Sequence, residues 1–261
     1  MEISLQGKHA LVGGSSKGIG EGIARVLAGS GASVTLMGRS KGKLEQLTQE
    51  LDSSRGQVHR YIVTDMVELD RFKECIRNFL REHPADILVN NTPGPPPGYV
   101  SELEDSAYDK AFDLLFRTIN YTTTIATEHM KANKFGRIIN VTSVTVKEPK
   151  PELVLSNTIR AAIITWSKSL AQELGPYGIT VNNILTGYFD TERLEAVNRK
   201  KAERTGKSLA QLEQEMAEQN ALKRIGTTAE YGYLVSFLAS DKAAYLTGTS
   251  IPLDGGYLRS V

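Results

Sequence analysis

Short apolar runs recur along the chain, separated by longer stretches whose apolar residues return every three or four positions. The runs at 9–13, 33–37, 58–63, 87–90, 137–142, 180–185 and 250–253 are mostly Val, Ile and Leu in unbroken order. Continuous runs of this length suit parallel strands covered on both faces, whereas a half-exposed strand would alternate. Between them, Phe112, Leu115, Phe116, Ile119, Thr123 and Ala126 share one helical stripe, and Ile159, Ile163, Trp166 and Leu170 share another. The alternation predicts an α/β chain, a doubly wound parallel sheet with helices on both faces, folded as a single domain over residues 1–261.

Residues 190–220 break the rhythm: they are highly charged, interrupted at Thr205 and Gly206, and carry only the narrow stripe Leu209, Leu212 and Met216. This predicts two helices, the second opened by Ser208 with Gln211 three residues on in a capping-box pattern. A helical insertion after a late strand can cover a ligand crevice at the strands' carboxyl ends, as a lid. A solvated helical hairpin or a subunit contact is the alternative.

Composition narrows the partners. Lys plus Arg number 31 and Asp plus Glu 30, so no global field holds the chain on nucleic acid or an anionic membrane. The basic run Arg199-Lys200-Lys201 is offset by neighbouring glutamates and lacks interleaved aromatics. The one cysteine, Cys75, excludes an internal disulfide and a cysteine-rich metal site, and no metal is expected. It falls with Phe72, Ile76 and Phe79 at helical spacing and reads as a small core residue. No run approaches membrane-spanning length and no basic stretch leads into an apolar segment near the start, so a cytoplasmic location is expected. Small molecules and copies of the chain itself remain as partners.

The first strand ends in Gly13-Gly14-Ser15-Ser16-Lys17-Gly18-Ile19-Gly20 and runs into a helix bearing Ile19, Ile23, Val26 and Leu27. Glycines between a strand and a helix allow a tight turn and close backbone approach to a pyrophosphate, and the helix N-terminus favours its charge. The stretch from Gly14 to Gly20 is therefore a candidate dinucleotide site. After the second strand stands Arg39, where an NAD site would carry a carboxylate for the ribose hydroxyls. Arg39 can offer its fork to a 2′-phosphate, with Lys17 as a second cation, which favours NADP(H).

The spacing of these glycines, with the landmarks that follow them, resembles the short-chain dehydrogenase/reductase family over essentially the whole chain, nearest its 3-oxoacyl-carrier-protein-reductase-like branch. The resemblance implies a Rossmann-type sheet and makes Asp65 an adenine contact. Asn90-Asn91-Thr92-Pro93-Gly94 resembles the family's Asn-Asn-Ala-Gly turn, with Asn91 at the cofactor, although Pro93 and the following Pro95-Pro96-Pro97 alter the loop. Asn120 corresponds to an asparagine that holds a relay water, and Ser143, closing the run from Gly136, to the serine that binds the reacting oxygen. Thr186 and Gly187 resemble the nicotinamide-contacting Pro-Gly, with threonine for proline, and Thr191 completes the cofactor residues. Pro95 and Tyr188 belong to the expected substrate pocket. Such proteins assemble through their long fourth and fifth helices and the C-terminal segment, here 257–261, which implies a homotetramer, with a dimer as the alternative.

At one place the resemblance fails. Family members that reduce carbonyls use a tyrosine as proton donor and, four residues later, a lysine that binds ribose. Here Ser156 and Arg160 stand in those positions. The spacing keeps both on one helix face. Arg160 can still hold a ribose, but serine is shorter and far less acidic than tyrosine. A proton could come through water held by Asn120 and Ser143, or from Tyr188, which is otherwise an apolar pocket wall. The expectation is an NADP-dependent oxidoreductase acting on a carbonyl or alcohol, with Ser143, Asn120, Ser156 and Arg160 at the reacting centre. The rival is an NADP-binding sensor or scaffold without turnover.

Overall fold

The computed structural model describes residues 2–260, so Met1 and Val261, the ends of the expected domain, lie outside it, as does the side chain of Lys200. Seven strands form one parallel sheet: β1 His9–Val12, β2 Ser33–Gly38, β3 Arg60–Val63, β4 Ile87–Asn90, β5 Gly136–Val141, β6 Ile179–Thr186 and β7 Ser250–Leu253. Their order is β3-β2-β1-β4-β5-β6-β7, so the order reverses between β1 and β4. That switch point opens a crevice at the strands' carboxyl ends. All seven apolar runs became strands. β3 starts at Arg60 because the Val34 N–H, on the neighbouring strand, donates to the His59 ring at 3.1 Å instead of to a backbone partner.

Helices cover both faces. α1 (Gly18–Gly29), α2 (Lys41–Glu50) and α9 (Thr228–Ala239) enclose one core around Ile23, Leu27, Val34, Leu36 and Val235. α3 (Leu69–Glu82), α5 (Thr118–Asn133) and α6 (Val154–Leu174) enclose the other, with Phe72, Ile76, Met130 and Leu174 buried and Cys75 packed at its edge. Among the described residues, no helix is long and apolar enough to cross a membrane.

A short α4 (Asp105–Phe112) continues into α5 through a π-helical turn, Asp113–Arg117. A π turn adds a residue and so rotates the following face by about 100°. Of the expected stripe, Leu115, Ile119, Thr123 and Ala126 are buried and Phe116 is half-buried; its first member alone falls outside. Phe112 is exposed, Leu115 is fully buried, and Asn120 lies on the exposed stripe with Thr124 and Glu128.

The lid segment forms α7 (Glu192–Thr205) and α8 (Leu209–Glu218). Gly206 ends the first at φ 71°, a left-handed conformation that suits glycine. Ser208 and Gln211 close the expected capping box on the second.

Three buried asparagines, Asn90, Asn140 and Asn183, stand side by side on β4, β5 and β6. Asn90 donates to Asn140 at 2.8 Å, and Asn140 donates to Asn183 at 3.1 Å and to Ser167 of α6 at 2.9 Å. Fully paired, the row carries buried amides without an orphaned donor and holds the strand ends in register beneath the crevice.

Candidate active site

The glycine turn has the shape a pyrophosphate requires. Gly14 and Gly18 take φ of 54° and 59°, and a Cβ on Gly20 would collide with the Gly14 carbonyl, so only glycine lets α1 pack this close to the turn. Asn91 braces the turn, donating through Nδ2 to Gly13 O at 3.0 Å. Ser15 corrects an expectation: its fully buried hydroxyl donates to Val12 O at 2.9 Å and accepts from Met37 N at 2.8 Å, so it ties the turn to β1 and β2 and does not face a ligand. Ser16, by contrast, lies against Gly38, beside Arg39. Arg39 is largely exposed and pairs loosely with Asp65 at 3.7 Å.

The first turn of α7 spans the crevice. Thr191 caps the helix, accepting from Leu194 N at 3.2 Å, and its side chain lies over Gly18. Glu192 pairs with Lys17 at 2.7 Å and with Lys43 of α2 at 3.3 Å, and these two lysines hold its carboxyl below the ordinary range. Arg193 packs its guanidinium against Gly94 of the β4 loop. Sequence reasoning named Thr191 and missed its two neighbours, which no local pattern distinguishes from other charged lid residues.

At the reacting end, Ser143 follows β5 and is half-buried. Thr145 donates to its Oγ from both N, at 3.1 Å, and Oγ1, at 2.9 Å. Ser156 and Arg160 do share a face of α6: Arg160 Nε donates to Ser156 Oγ at 3.3 Å and Nη1 to Val141 O at 2.6 Å. Arg160 is buried without a carboxylate partner among the described residues. Burial, with Arg193 nearby, pushes its pKa down to about 10.

Asn120 does not join this group. It is exposed, and its carbonyl accepts from Thr124 Oγ1 at 2.9 Å. The residue that packs with Leu155 and Ile159, the neighbours of the serine–arginine pair, is the apolar Leu115. A relay water held by Asn120 is therefore abandoned.

Thr186 shares a hydrogen bond of 2.9 Å with the buried Tyr231 hydroxyl, whose pKa burial drives well above the phenol range. Gly187 packs so closely on Asp254 that a Cβ would stand 2.6 Å from its Cα. Tyr188 follows, half-buried, and its Oη accepts from Lys150 Nζ at 2.6 Å. Lys150 sits between two tyrosine rings, 4.9 Å from the centroid of Tyr188 and 5.4 Å from that of Tyr257. Burial works against its ammonium, but the Tyr188 hydrogen bond and the electrostatic attraction of Tyr188 and Tyr257 outweigh it, and the net shift is upward. The one local signal for Lys150 is its place in Pro149-Lys150-Pro151, a stiff loop leading into α6. Pro95 is buried in the opposite loop, which Gly98 pins to this one by donating to Glu152 O at 2.8 Å. No group of three His, Cys, Asp or Glu among the described residues is placed to hold a metal.

A parallel sheet whose switch point carries a glycine turn, with a serine at the end of β5 and a helical cover after β6, defines a dinucleotide-binding α/β protein. A family model described as Enoyl-(Acyl carrier protein) reductase matches residues 14–258. The chain belongs to that family, the short-chain dehydrogenase/reductases, in their 3-oxoacyl-carrier-protein-reductase-like branch. It is 36% identical over 256 residues to the oxidoreductase UcpA of Escherichia coli (strain K12), covering 97% of this chain and 95% of that one. Two solved structures extend the likeness. L-sorbose reductase from Gluconobacter frateurii, complexed with NADPH and L-sorbose, is 26% identical with a TM-score of 0.93, covering 100% of both chains. A 3-oxoacyl (acyl-carrier-protein) reductase from Agrobacterium tumefaciens C58 with NADP bound is 27% identical with a TM-score of 0.87, covering 98% of this chain and 96% of the other.

Proposed function

We propose that the protein is an NADP(H)-dependent oxidoreductase that transfers hydride between nicotinamide and a carbonyl or alcohol carbon. The observation that carries this reading is the state of Ser143. Its oxygen already accepts two hydrogen bonds from Thr145, so its own proton is free to point at a ligand oxygen. A preorganised donor of this kind serves a carbonyl that gains negative charge during reduction.

The residues present fit the cofactor. The cradle at Gly14, Gly18 and Gly20 admits a pyrophosphate where any Cβ would intrude, Thr191 lies at its rim, and Arg39, Ser16 and Lys17 surround the end where a 2′-phosphate would lie. NADP(H), once bound, supplies or accepts the hydride. Ser143 binds and polarises the substrate oxygen, Tyr188 and Pro95 shape the pocket, and Arg160 faces the ribose with the nitrogen not committed to Val141 or Ser156. The NADPH and NADP named with the two related structures support the same choice.

The test is NADPH consumption with diacetyl, L-sorbose and the acetoacetyl thioester of N-acetylcysteamine as substrates. Turnover of any one is expected. NADPH binding with no turnover would support the second reading, a cofactor-binding sensor, which the replacement of the proton donor and its lysine by Ser156 and Arg160 favours.

A further inference from the structure

We propose that Tyr188 and Lys150 are the proton-donating pair of this active site. The inference rests on the oxidoreductase reading above and supplies the acid which that reading lacks.

Ser156 carries no readily lost proton, and Arg160 is bonded to the Val141 carbonyl. The sheet brings one further phenol to the same mouth. β5 and β6 are paired up to Val141 and Ile184, and Thr142 donates to Ile184 O, so Ser143 and the segment Thr186–Tyr188 leave adjacent strand ends together. Of the other tyrosines beside this mouth, Tyr231 is sealed behind β6 on Thr186 and Tyr257 packs edge-on against the Tyr188 ring at 5.6 Å.

Tyr188 has the surroundings of an acid that must become an anion for one step. Lys150 Nζ donates to its oxygen at 2.6 Å, and Lys150 has no carboxylate partner among the described residues to divert its charge. The lysine is fixed from behind. Its carbonyl accepts from Leu153 N at 3.0 Å and from Asn157 Nδ2 at 2.8 Å, fastening the Pro149–Pro151 loop to the start of α6. The phenol proton has only a long contact, 3.3 Å to Gln219 Oε1 at the end of α8, and a substrate oxygen can take it over. Nearby, Glu148 is spent on the backbone N–H groups of Arg259 and Ser260.

In the reductive direction, hydride from reduced nicotinamide forms the new C–H bond at the carbonyl carbon, and the π pair of the C=O bond moves to oxygen. That oxygen takes the Tyr188 proton and becomes a hydroxyl as the phenol O–H bond breaks. The phenolate left behind lies against the Lys150 ammonium, and a proton from solvent restores it. Lys150 touches neither substrate nor cofactor in this scheme and is a positioning residue.

The experiment compares unmodified protein with Tyr188→Phe, Lys150→Met, Lys150→Arg and, as a control on the same loop, the exposed Lys147→Met. Each is assayed with the fastest of the three carbonyl probes under saturating NADPH. Loss of a general acid costs about 100-fold or more in rate. Tyr188→Phe is expected to lower kcat by about that factor with KM within about twofold, Lys150→Met to lower kcat by about tenfold, and Lys150→Arg to recover most of that loss. NADPH affinity, followed by fluorescence titration without substrate, is expected to stay within about twofold throughout, since neither residue lies at the glycine turn. A Tyr188→Phe protein that binds NADPH and keeps its kcat overturns the pair, as does a Lys150→Met effect confined to KM, which would make the lysine a substrate anchor. Absence of turnover by the unmodified protein with all three probes overturns the oxidoreductase reading itself, and the pair with it.

Discussion

Arg160 donates through Nη1 to the carbonyl oxygen of Val141 at 2.6 Å, which ties the cation of α6 to the strand that ends two residues before Ser143. The guanidinium is thereby a brace for the serine as well as the cation proposed for the ribose. Arg160→Lys cannot make the same fork, so the two effects separate by substitution.

Removing the Ser143 hydroxyl tests the reacting centre. Ser143→Ala should lower kcat by about 100- to 1000-fold while NADPH affinity stays nearly constant. Ser156→Ala should cost far less, because the contact it loses is the 3.3 Å bond from Arg160. Steady-state kinetics on the two variants decide the order, and a larger loss in Ser156→Ala would reverse the assignment.

Arg39→Ala should reduce the preference for NADPH over NADH. The side chain is largely exposed and its Asp65 contact is loose at 3.7 Å, so solvent screening limits the effect to about 1 kcal/mol, roughly fivefold in affinity. Calorimetric titration with both cofactors measures it, and equal affinities in the unmodified protein would refute the preference.

Glu192 occupies Lys17 and Lys43 with its own carboxylate. An incoming phosphate must compete for the same cations, so Glu192→Gln should tighten NADPH by about two- to fivefold and speed its association. Stopped-flow binding at low and high salt reads both, and a weaker complex in the variant would contradict the competition.

Phe112 is exposed, stacks on Phe116 at 4.9 Å, and Phe116 meets Trp166 edge-on at 5.8 Å. An aromatic row opening onto solvent along α4 and α6 suits a subunit contact, and we expect a homotetramer. Light scattering should give that mass for the unmodified protein and a smaller one for Phe112→Glu.

Glu230 gives the pH test. As the third residue of α9, closing its capping box, it accepts from Arg224 Nη1 at 2.9 Å and from Thr227 N at 2.8 Å, and these bonds, Arg224's foremost, hold its pKa down to about 2. A folded pKa below the ordinary 4.5 means that the stabilisation is complete above pH 4.5 and is lost as pH falls through 2. The side chain is 37% exposed, and solvent screening there caps the gain at about 1 kcal/mol. Glu230→Gln should lower Tm by about 2–4 °C at neutral pH, with the gap closing in acid.

The strands were legible because a sheet covered on both faces demands unbroken apolar runs, and the lid helices because Gly206, Ser208 and Gln211 act locally. The glycine turn was legible for the same local reason. Asn120 was misplaced because it flanks the stripe of Ile119 and Thr123, and only the packed structure shows that it turns outward with Thr124 while Leu115 meets α6. Ser15 was misread because only tertiary packing shows that its hydroxyl is taken by β1 and β2. Lys150 stayed hidden because its partners Tyr188 and Tyr257 lie far along the chain, and three loops must meet before the cation has a site.

The amide row of Asn90, Asn140 and Asn183 bears on how the molecule opens. Each of these side chains bridges to the next strand, and Ser167 of α6 adds a second bond to Asn183 at 2.8 Å. Peeling one of these strands away would orphan buried amides on its neighbour, a cost of about 1–3 kcal/mol for each lost partner. β4, β5 and β6 therefore exchange their backbone hydrogens as one unit, only when the whole sheet unfolds. The ends that carry Asn91, Ser143 and Tyr188 therefore do not fray separately from the fold.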